Sequence, residues 1–203
     1  MKRRDFVRAT GLAVTTATVA QFSLGSQATA MRKPNLIFVF ADQLRYQSLG
    51  YAGDLKARTP NIDRLASQGI SFKNTVSVSP VCAPFRASLF TGKYTTSTGM
   101  AINEMRINPH QRCFGHVLTE GGYATGYIGK WHLWANELGN HENPHNGYVP
   151  PGEYRLGFDG YWAAYNFNHE YYHGYYFEDT PERKDIKGYE PDVQTDMAIG
   201  FIN

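Results

Sequence analysis

The chain has 203 residues, of which 42% are hydrophobic and 14% aromatic, with 20 Lys and Arg against 18 Asp and Glu. Residues 1–30 hold four of the basic residues and one acidic residue, so the remainder has 16 basic against 17 acidic residues, a formal charge of −1. A near-neutral chain offers no basic surface for nucleic acid, and we expect no nucleic-acid partner. The sequence shows no internal repeat and no linker, which predicts one domain at most.

Residues 1–30 have the features of an export signal. Basic residues precede a weakly apolar run at 11–24, and the letters A-T-A at 28–30 fit a cleavage site. The pair Arg3 and Arg4 resembles a twin-arginine signal, with an ordinary secretory signal or an N-terminal membrane anchor as alternatives. Either signal predicts an exported bacterial protein, periplasmic or extracellular, and the first implies the twin-arginine export machinery as a partner.

The fold is predicted to begin with a buried β-strand at 35–40. The letters N-L-I-F-V-F form a continuous apolar run of the kind found in strands covered on both faces. Asp42 and Gln43 follow it, and ligands in open α/β sheets bind beyond the carboxyl ends of strands. Asp42 is therefore a candidate for chemistry, the alternative being a carboxylate that caps the next turn.

The next predicted element is an amphipathic helix that begins at Pro60 and ends before Gly69. Ile62 and Leu65 recur at helical spacing and predict a face that packs on the rest of the domain. A short strand is predicted to follow at 70–74.

A third element places a cysteine at the start of a helix. Pro84 fits the first turn of this helix, Gly92 ends it, and Cys82 precedes both. The backbone N–H groups and the dipole at a helix start favour negative charge, and Arg86 lies one turn further on. The pattern predicts an oxyanion site, while the alternative is a small buried cysteine with no chemical role.

The second cysteine, Cys113, precedes a short predicted helix at 114–120. Exported proteins reside in compartments where disulfides form, so a disulfide between Cys82 and Cys113 is the alternative to a reactive Cys82.

A predicted strand at 123–133 contains the letters G-K-W-H. Residues two apart on a strand face the same side, so Lys130 and His132 project together. A cation beside a titratable ring suits a sulfate and its nucleophile. The alternative is an exposed lysine beside a hydrogen-bonded histidine on an edge strand.

Residues 136–190 read as an irregular region rich in aromatic residues, Gly, Asn and His. Aromatic rings with neighbouring polar groups line carbohydrate or aryl pockets, and His169 and His173 are candidate substrate contacts. The alternative is that the rings pack this region onto the domain. A helix is predicted to start near residue 191.

Several of these stretches resemble the sulfatase family. C-A-P-F-R-A-S-L-F-T-G at 82–92 is similar to its C-x-P-x-R signature, with Phe85 where Ser is usual. P-N-L-I-F-V-F-A-D-Q resembles the opening strand of that family, with Gln43 in place of the second acid. T-P-N-I-D-R-L-A and G-K-W-H also resemble sulfatase segments.

The resemblance implies an alkaline-phosphatase-like α/β fold, with a mixed, mostly parallel sheet flanked by helices. It implies that a maturation enzyme oxidises Cys82 to formylglycine, whose hydrate attacks the sulfate, with Arg86 and His132 as further catalytic residues. Lys130 would hold the sulfate, with His169 as a further substrate contact. Asp42, Gln43 and the formylglycine would bind a divalent cation, Ca²⁺ or alternatively Mg²⁺.

The expected function is that of a sulfuric ester hydrolase acting on aryl, choline or carbohydrate sulfates. A phosphonate or phosphate monoester hydrolase of the same superfamily and an inactive, glycan-binding homologue or fragment are the alternatives. The family's second metal-binding pair and its later His and Lys have no counterpart in this sequence. Residues 31–203 are therefore expected to form the N-terminal part of a truncated catalytic domain that is inactive alone.

Overall fold

The computed structural model describes residues 33–134 and 146–203. The chain divides into two compact units, residues 1–43 and residues 44–203. Each unit is described separately below.

The described part of the first unit is an extended segment and not a strand. Residues 35–40 lie in no β-ladder, and the side chains of Leu36, Ile37 and Val39 are more than half exposed. The strand prediction for these residues is therefore wrong in this structure. Apolar and β-branched residues favour extended backbone, but a strand also needs hydrogen bonds to a neighbour, which a local pattern cannot supply.

The second unit opens with two single-turn 3₁₀ helices, Tyr46–Ser48 and Gly50–Ala52, and then helix α1, Pro60–Gln68. The side chain of Thr59 links these elements, since its hydroxyl accepts from the Gly50 amide at 2.9 Å and donates to an Asp63 carboxylate oxygen at 2.8 Å. The predicted helix is confirmed within one residue at each end.

The apolar face predicted for α1 is not buried, because Ile62 is 43% and Leu65 69% exposed. The strand predicted at 70–74 is also wrong, since these residues form no β-ladder and Ile70 and Phe72 are exposed. In both places the apolar residues occur at the expected spacing, but the described part of the unit has no surface that covers their side chains.

Three helices follow: α2 at Cys82–Thr91, α3 at Thr95–Thr98 and α4 at Phe114–Glu120. The prediction for α2 and α4 is confirmed. Gly92 ends α2 in the left-handed conformation, with φ 68°, and its amide donates to the Ser88 carbonyl. Only a glycine adopts this backbone without strain from a Cβ atom.

Strands β1, Gly126–Lys130, and β2, Tyr161–Tyr165, pair in parallel, so that Lys130 lies opposite Tyr165. The short strands β3, Tyr175–Tyr176, and β4, Lys184–Asp185, pair in antiparallel fashion. Strand β2 falls in the region that the sequence predicts as irregular. Its letters Y-W-A-A-Y are aromatic and small, and parallel pairing with a strand 35 residues earlier leaves no local signature.

Helix α5, Glu190–Ile202, packs against β1. The ring of Phe201 lies so close to Gly126 that a Cβ atom there would be 2.9 Å from it, and the same ring stacks on Tyr161. Parallel pairing of β1 and β2 with helices beside them gives a partial α/β architecture.

The core of the second unit lies where α2 and α4 meet the two parallel strands. Phe90 of α2 stacks on Phe114 at a centroid separation of 5.1 Å and lies the same distance from Trp131. Such aromatic pairs add directional contacts to the burial of apolar area. The ring cluster also includes Tyr127, Phe158 and Trp162. It holds α2 against β1 and the residues that follow the strand.

Among the described residues, no helix is both long enough and apolar enough to cross a membrane.

We predict that Gly157→Ala destabilises the fold more than Gly99→Ala. Both glycines have positive φ, 89° and 74°, but a Cβ atom at Gly157 would lie 2.3 Å from the His116 amide nitrogen, whereas nothing lies within 4 Å at Gly99. We expect a loss of roughly 3 kcal/mol at Gly157 and about 1 kcal/mol at Gly99. Urea unfolding followed by tryptophan fluorescence measures both, and equal losses would contradict the packing described.

Candidate functional site

The start of α2 positions Cys82. This residue is the first of the helix, half-buried, and follows Val81 in extended conformation. The next amide, that of Ala83, donates to the side-chain oxygen of Asn103 at 3.0 Å. Asn103 therefore caps the helix from a later loop and brings that loop to Cys82, a contact that spans 20 residues and has no sequence signature.

Arg86 connects α2 to the end of β1. The residue is only 3% exposed, and its Nη1 donates to the carbonyl oxygen of Lys130 at 2.5 Å and to the hydroxyl of Tyr127 at 3.2 Å. The Tyr127 hydroxyl also donates to the Lys130 carbonyl. Two donors thus meet on one carbonyl, which fixes the first turn of α2 against the strand end.

Phe167 is the meeting point of three polar side chains. The Nζ of Lys130 lies 4.5 Å from the centroid of its ring, and the rings of His132 and His169 lie 4.7 Å and 4.6 Å from it. Lys130 and His132 therefore both contact this ring, although β1 ends at Lys130 and His132 lies beyond the strand. Lys130 is 8% exposed and His132 is fully buried, while His169 is exposed.

The backbone turns at His132, which has a φ of 55°. A positive φ at a residue other than glycine is strained by about 1 kcal/mol or more and is maintained only by its surroundings. The two residues that flank His132 hold this backbone conformation through hydrogen bonds. The Trp131 amide donates to the Tyr165 carbonyl at 2.7 Å, and the Leu133 carbonyl accepts from the Ile107 amide at 3.1 Å. Both neighbours are fully buried in the core. The direction of the His132 side chain is thus set by the fold.

Behind β1, a buried carboxyl group binds a buried hydroxyl. The Tyr165 hydroxyl donates to Glu190 Oε1 at 2.6 Å, and the amide of Gln194 donates to the same oxygen at 2.6 Å. Burial raises the pKa of Glu190. Burial, and then the hydrogen bond to Glu190, raise the pKa of Tyr165, so that its hydroxyl stays neutral. Because Tyr165 lies opposite Lys130 in the ladder, this network supports the strand end from the side of α5.

Asp42 and Gln43, the residues predicted to bind a cation, are exposed residues of the first unit. Their carboxylate and amide oxygens are donors of the type that Ca²⁺ and Mg²⁺ accept, although Ca²⁺ takes about six to eight ligands. Within residues 33–134 and 146–203, no group of three or more His, Cys, Asp or Glu side chains is arranged to hold a metal ion. Metal binding at Asp42 and Gln43 stays a prediction.

The two cysteines are not bonded to each other. Both are free thiols, so the disulfide alternative is wrong in this structure. Cys113 precedes α4, where its amide donates to His116 Nδ1 at 3.2 Å and its side chain accepts from the helix backbone. Burial raises the pKa of the Cys113 thiol to about 11.

The structure thus brings four of the predicted residues to one place. Cys82 and Arg86 belong to one turn of α2, and Arg86 holds the strand end that carries Lys130 and then His132. We call this group the Cys82 site. A potential nucleophile, two cations and an imidazole in such an arrangement can bind an oxyanion and transfer protons. Sequence reasoning missed Asn103, Tyr127, Phe167 and Glu190, which support the site through contacts distant in sequence.

Comparison with known proteins points to one family. The sequence model of the family described as Sulfatase matches residues 34–203. An ulvan-active sulfatase of Formosa agariphila is 42% identical over 171 residues, which are 84% of this chain and 32% of that protein. An N-acetylglucosamine-6-O-sulfatase of Bacteroides thetaiotaomicron is 33% identical over 191 residues, 91% of this chain and 31% of that protein. The chain spans about a third of the length of these curated relatives.

Solved structures match over a similar share. The yidJ protein of Bacteroides fragilis superposes with a TM-score of 0.77 at 32% identity and covers 89% of this chain and 42% of its own. A protein crystallised with its substrate D-glucosamine-2-N,6-O-disulfate has a TM-score of 0.69 at 33% identity, covering 84% of this chain and 31% of its own.

We predict that the two thiols of the folded, unmodified chain differ in reactivity. A thiolate is the reactive form, and a pKa of about 11 keeps Cys113 protonated at pH 8. Cys82 is half-buried at a helix start and accessible to a small reagent. Iodoacetamide labelling followed by peptide mass spectrometry should show Cys82 alkylated first, with Cys113 labelled only after unfolding in urea. Resistance of both would indicate a disulfide and contradict the structure.

We predict that Arg86→Lys destabilises the fold by about 2 kcal/mol. A lysine ammonium lacks the planar fork that meets the Tyr127 hydroxyl and the Lys130 carbonyl together, so buried hydrogen bonds to a charged group are lost. Urea unfolding measures the effect. Arg112→Lys is the matched control, because Arg112 is exposed and paired only with Glu120, and should leave the unfolding midpoint unchanged. Equal midpoints for both variants would show that Arg86 does not hold the strand end.

Proposed function

This chain belongs to the sulfatase family, and from that premise we propose that its protein hydrolyses sulfate monoesters, with Cys82 as the precursor of the nucleophile. The observation that carries the proposal is the hydrogen bond from Arg86 to the Lys130 carbonyl, which joins the turn of Cys82 to the strand end of Lys130 and His132. The structural neighbours confirm the predicted fold class, and the described residues form a partial α/β domain of that class.

The reaction converts a sulfate monoester and water into an alcohol and hydrogen sulfate. The bond between sulfur and the bridging oxygen breaks, the alcohol leaves with the electron pair and gains a proton, and water supplies the new oxygen on sulfur. The group that is transferred stays negatively charged throughout. Fixed positive charge and a proton carrier are therefore the contributions required of the protein.

Lys130 and Arg86 supply positive charge beside Cys82. The Lys130 ammonium lies almost buried against the Phe167 ring, and in a site from which water is excluded its attraction for sulfate oxygens is stronger than in solvent. Arg86 is held in place by a carbonyl and a hydroxyl, and it adds a second cation at the turn of Cys82.

His132 is the proton carrier in this proposal. Its ring lies against Phe167, and the left-handed backbone fixes its direction beside Lys130. An imidazole nitrogen can accept a proton and return it, which is the exchange that this reaction requires. His169 also contacts the Phe167 ring, is exposed, and is the further substrate contact in this proposal.

Cys82 fits the modification that the family uses. It is a free thiol, half-buried, at the first position of a helix whose amides favour an oxygen-rich group. Oxidised to formylglycine by a maturation enzyme, it supplies a hydrated aldehyde, an oxygen nucleophile. The residues around it then hold the sulfate and move protons.

Asp42 and Gln43 would hold the divalent cation, Ca²⁺ or Mg²⁺, as oxygen ligands. When bound, the cation neutralises charge on the sulfate oxygens. One acid and one amide give a less negative pair than two acids, so we expect weaker binding of the ion here than at an aspartate pair.

We propose a sulfated carbohydrate as the substrate class and export as the destination. Two of the matching proteins support this class by name: one is an ulvan-active sulfatase and the other is an N-acetylglucosamine-6-O-sulfatase. The basic and apolar residues of the segment at 1–30, which lies outside the described residues, support export through the twin-arginine machinery to the periplasm or beyond.

We predict that Cys82→Ala abolishes hydrolysis of a sulfated monosaccharide by the protein as its gene encodes it. The nucleophile is lost, while the helix start tolerates alanine and the urea midpoint should change little. Cys113→Ala is the matched control, since that thiol lies outside the Cys82 site, and it should retain turnover. Sulfate release measured by ion chromatography reads out both.

Peptide mass spectrometry of protein from the native host tests the modification separately. We expect an aldehyde at position 82 that reacts with a hydrazide probe. An unmodified thiol at position 82, or turnover retained by the Cys82→Ala variant, would contradict the proposed mechanism. Faster hydrolysis of an aryl phosphonate than of the matched aryl sulfate would instead favour a phosphonate hydrolase.

A further inference from the structure

Arg106 lies flat on an aromatic surface next to the Cys82 site. Its guanidinium carbon is 3.9 Å from the centroid of the Trp134 ring and 5.3 Å from that of Tyr154. These rings are 4.5 Å apart in a T-shaped pair. A guanidinium stacked in this way is held in one plane by cation–π attraction, so little side-chain freedom is lost when it binds a ligand.

The surface under Arg106 is itself fixed. The backbone of Arg106 forms a β-bridge with that of Trp134, and the Trp134 amide donates to the side-chain oxygen of Asn166 at 3.0 Å. Asn166 is fully buried. The position of the guanidinium is therefore set by the fold.

Arg106 differs from Arg155 and Arg183 because no acid in the described part of the chain neutralises it. Arg155 stacks on Trp162 and pairs with Asp179 at 2.6 Å, and Arg183 stacks on Tyr175 and pairs with Asp185 at 2.7 Å. Within the described ranges, 33–134 and 146–203, Arg106 forms no ion pair and donates no side-chain hydrogen bond. Its Nε–H is buried without an acceptor. A buried donor without an acceptor is unfavourable by about 1–3 kcal/mol, which a ligand oxyanion would relieve.

Two chain connections place Arg106 at the edge of the Cys82 site. Asn103, three residues earlier, accepts from the amide next to Cys82, and three residues span at most about 11 Å. Trp134, directly across from Arg106, lies two residues after His132. These connections place the guanidinium within reach of a saccharide whose sulfate ester is held at Cys82 and Lys130.

We propose that Arg106 binds a second anionic group of the substrate, a sulfate or a carboxylate on the same saccharide as the ester that is hydrolysed. This inference rests on the proposed function and adds to it a substrate class: carbohydrates with at least two oxyanions. A planar guanidinium fork held on Trp134 and Tyr154 matches the two oxygens of such a group, with Nε and one Nη donating side by side.

The test measures binding apart from turnover. In the gene-encoded protein with Cys82→Ala, calorimetry compares a disaccharide bearing only the reactive sulfate with two analogues that add either a second sulfate or a carboxylate. We expect Arg106→Ala to weaken binding of one or both dianionic sugars roughly 10- to 100-fold and to change binding of the monosulfate less than about twofold. The sugar that loses more affinity identifies the second group.

Two further variants separate recognition from structure. Arg106→Lys keeps the charge without the fork and should recover part of the lost affinity. Arg183→Ala, which removes a stacked arginine already paired with Asp185, should leave all three affinities unchanged. If Arg106→Ala weakens all three sugars equally, or none of them, the proposal is overturned. Failure of the Cys82-intact enzyme to hydrolyse any of these sugars would count against the proposed function alone, because the binding comparison needs no turnover.

Discussion

The hydrogen bonds of Arg86 to the end of β1 are the constraint on which the Cys82 site depends. A buried guanidinium must satisfy its donors inside the protein, and the Lys130 carbonyl with the Tyr127 hydroxyl meets that need at a single nitrogen. Since Arg86 is one turn from Cys82, the same bonds set the nucleophile's helix against the strand that presents the lysine and histidine. One side chain thereby converts two distant sequence motifs into one site.

How much of this was predictable follows from the range of each interaction. The helix at 82–91 was predicted correctly, because the signals of a proline and a glycine act within a few residues. The strand predicted at 123–133 is shorter, since β1 ends at Lys130, and a left-handed backbone rather than strand alternation directs His132. The prediction of a strand at 35–40 was wrong, and strand β2 was not predicted, for the opposite reason. A β-ladder needs a partner strand, and the local sequence does not show which segment that partner is. Asn103 and Phe167 were missed likewise, because their contacts to the site join loops remote in sequence.

The side of β1 that faces α5 shows how buried polar groups support the site without adding charge to it. Burial raises the pKa of Tyr165, whose neutral hydroxyl donates to Glu190, and the amide of Gln194 donates to the same oxygen. Burial also raises the pKa of Glu190, which shifts its ionisation towards neutral pH. Above its raised pKa, the ionised carboxylate of Glu190 is stabilised by these two neutral donors. The strand end is thus held by a network whose members bind one another.

The cations around Cys82 share a second property, which bears on the ligand they select. Lys130 rests on the Phe167 ring, Arg86 donates to a carbonyl and a hydroxyl, and Arg106 rests on Trp134. Rings, carbonyls and hydroxyls fix a cation without cancelling its charge, whereas Arg155 is held by a carboxylate and contributes little field beyond its own pair. At Arg106, which has no ion pair within the described ranges, positive charge is thereby retained. A ligand with one anionic group, held at the Cys82 site, would leave Arg106 without an anionic partner. A ligand with two anionic groups would bind both the Cys82 site and Arg106.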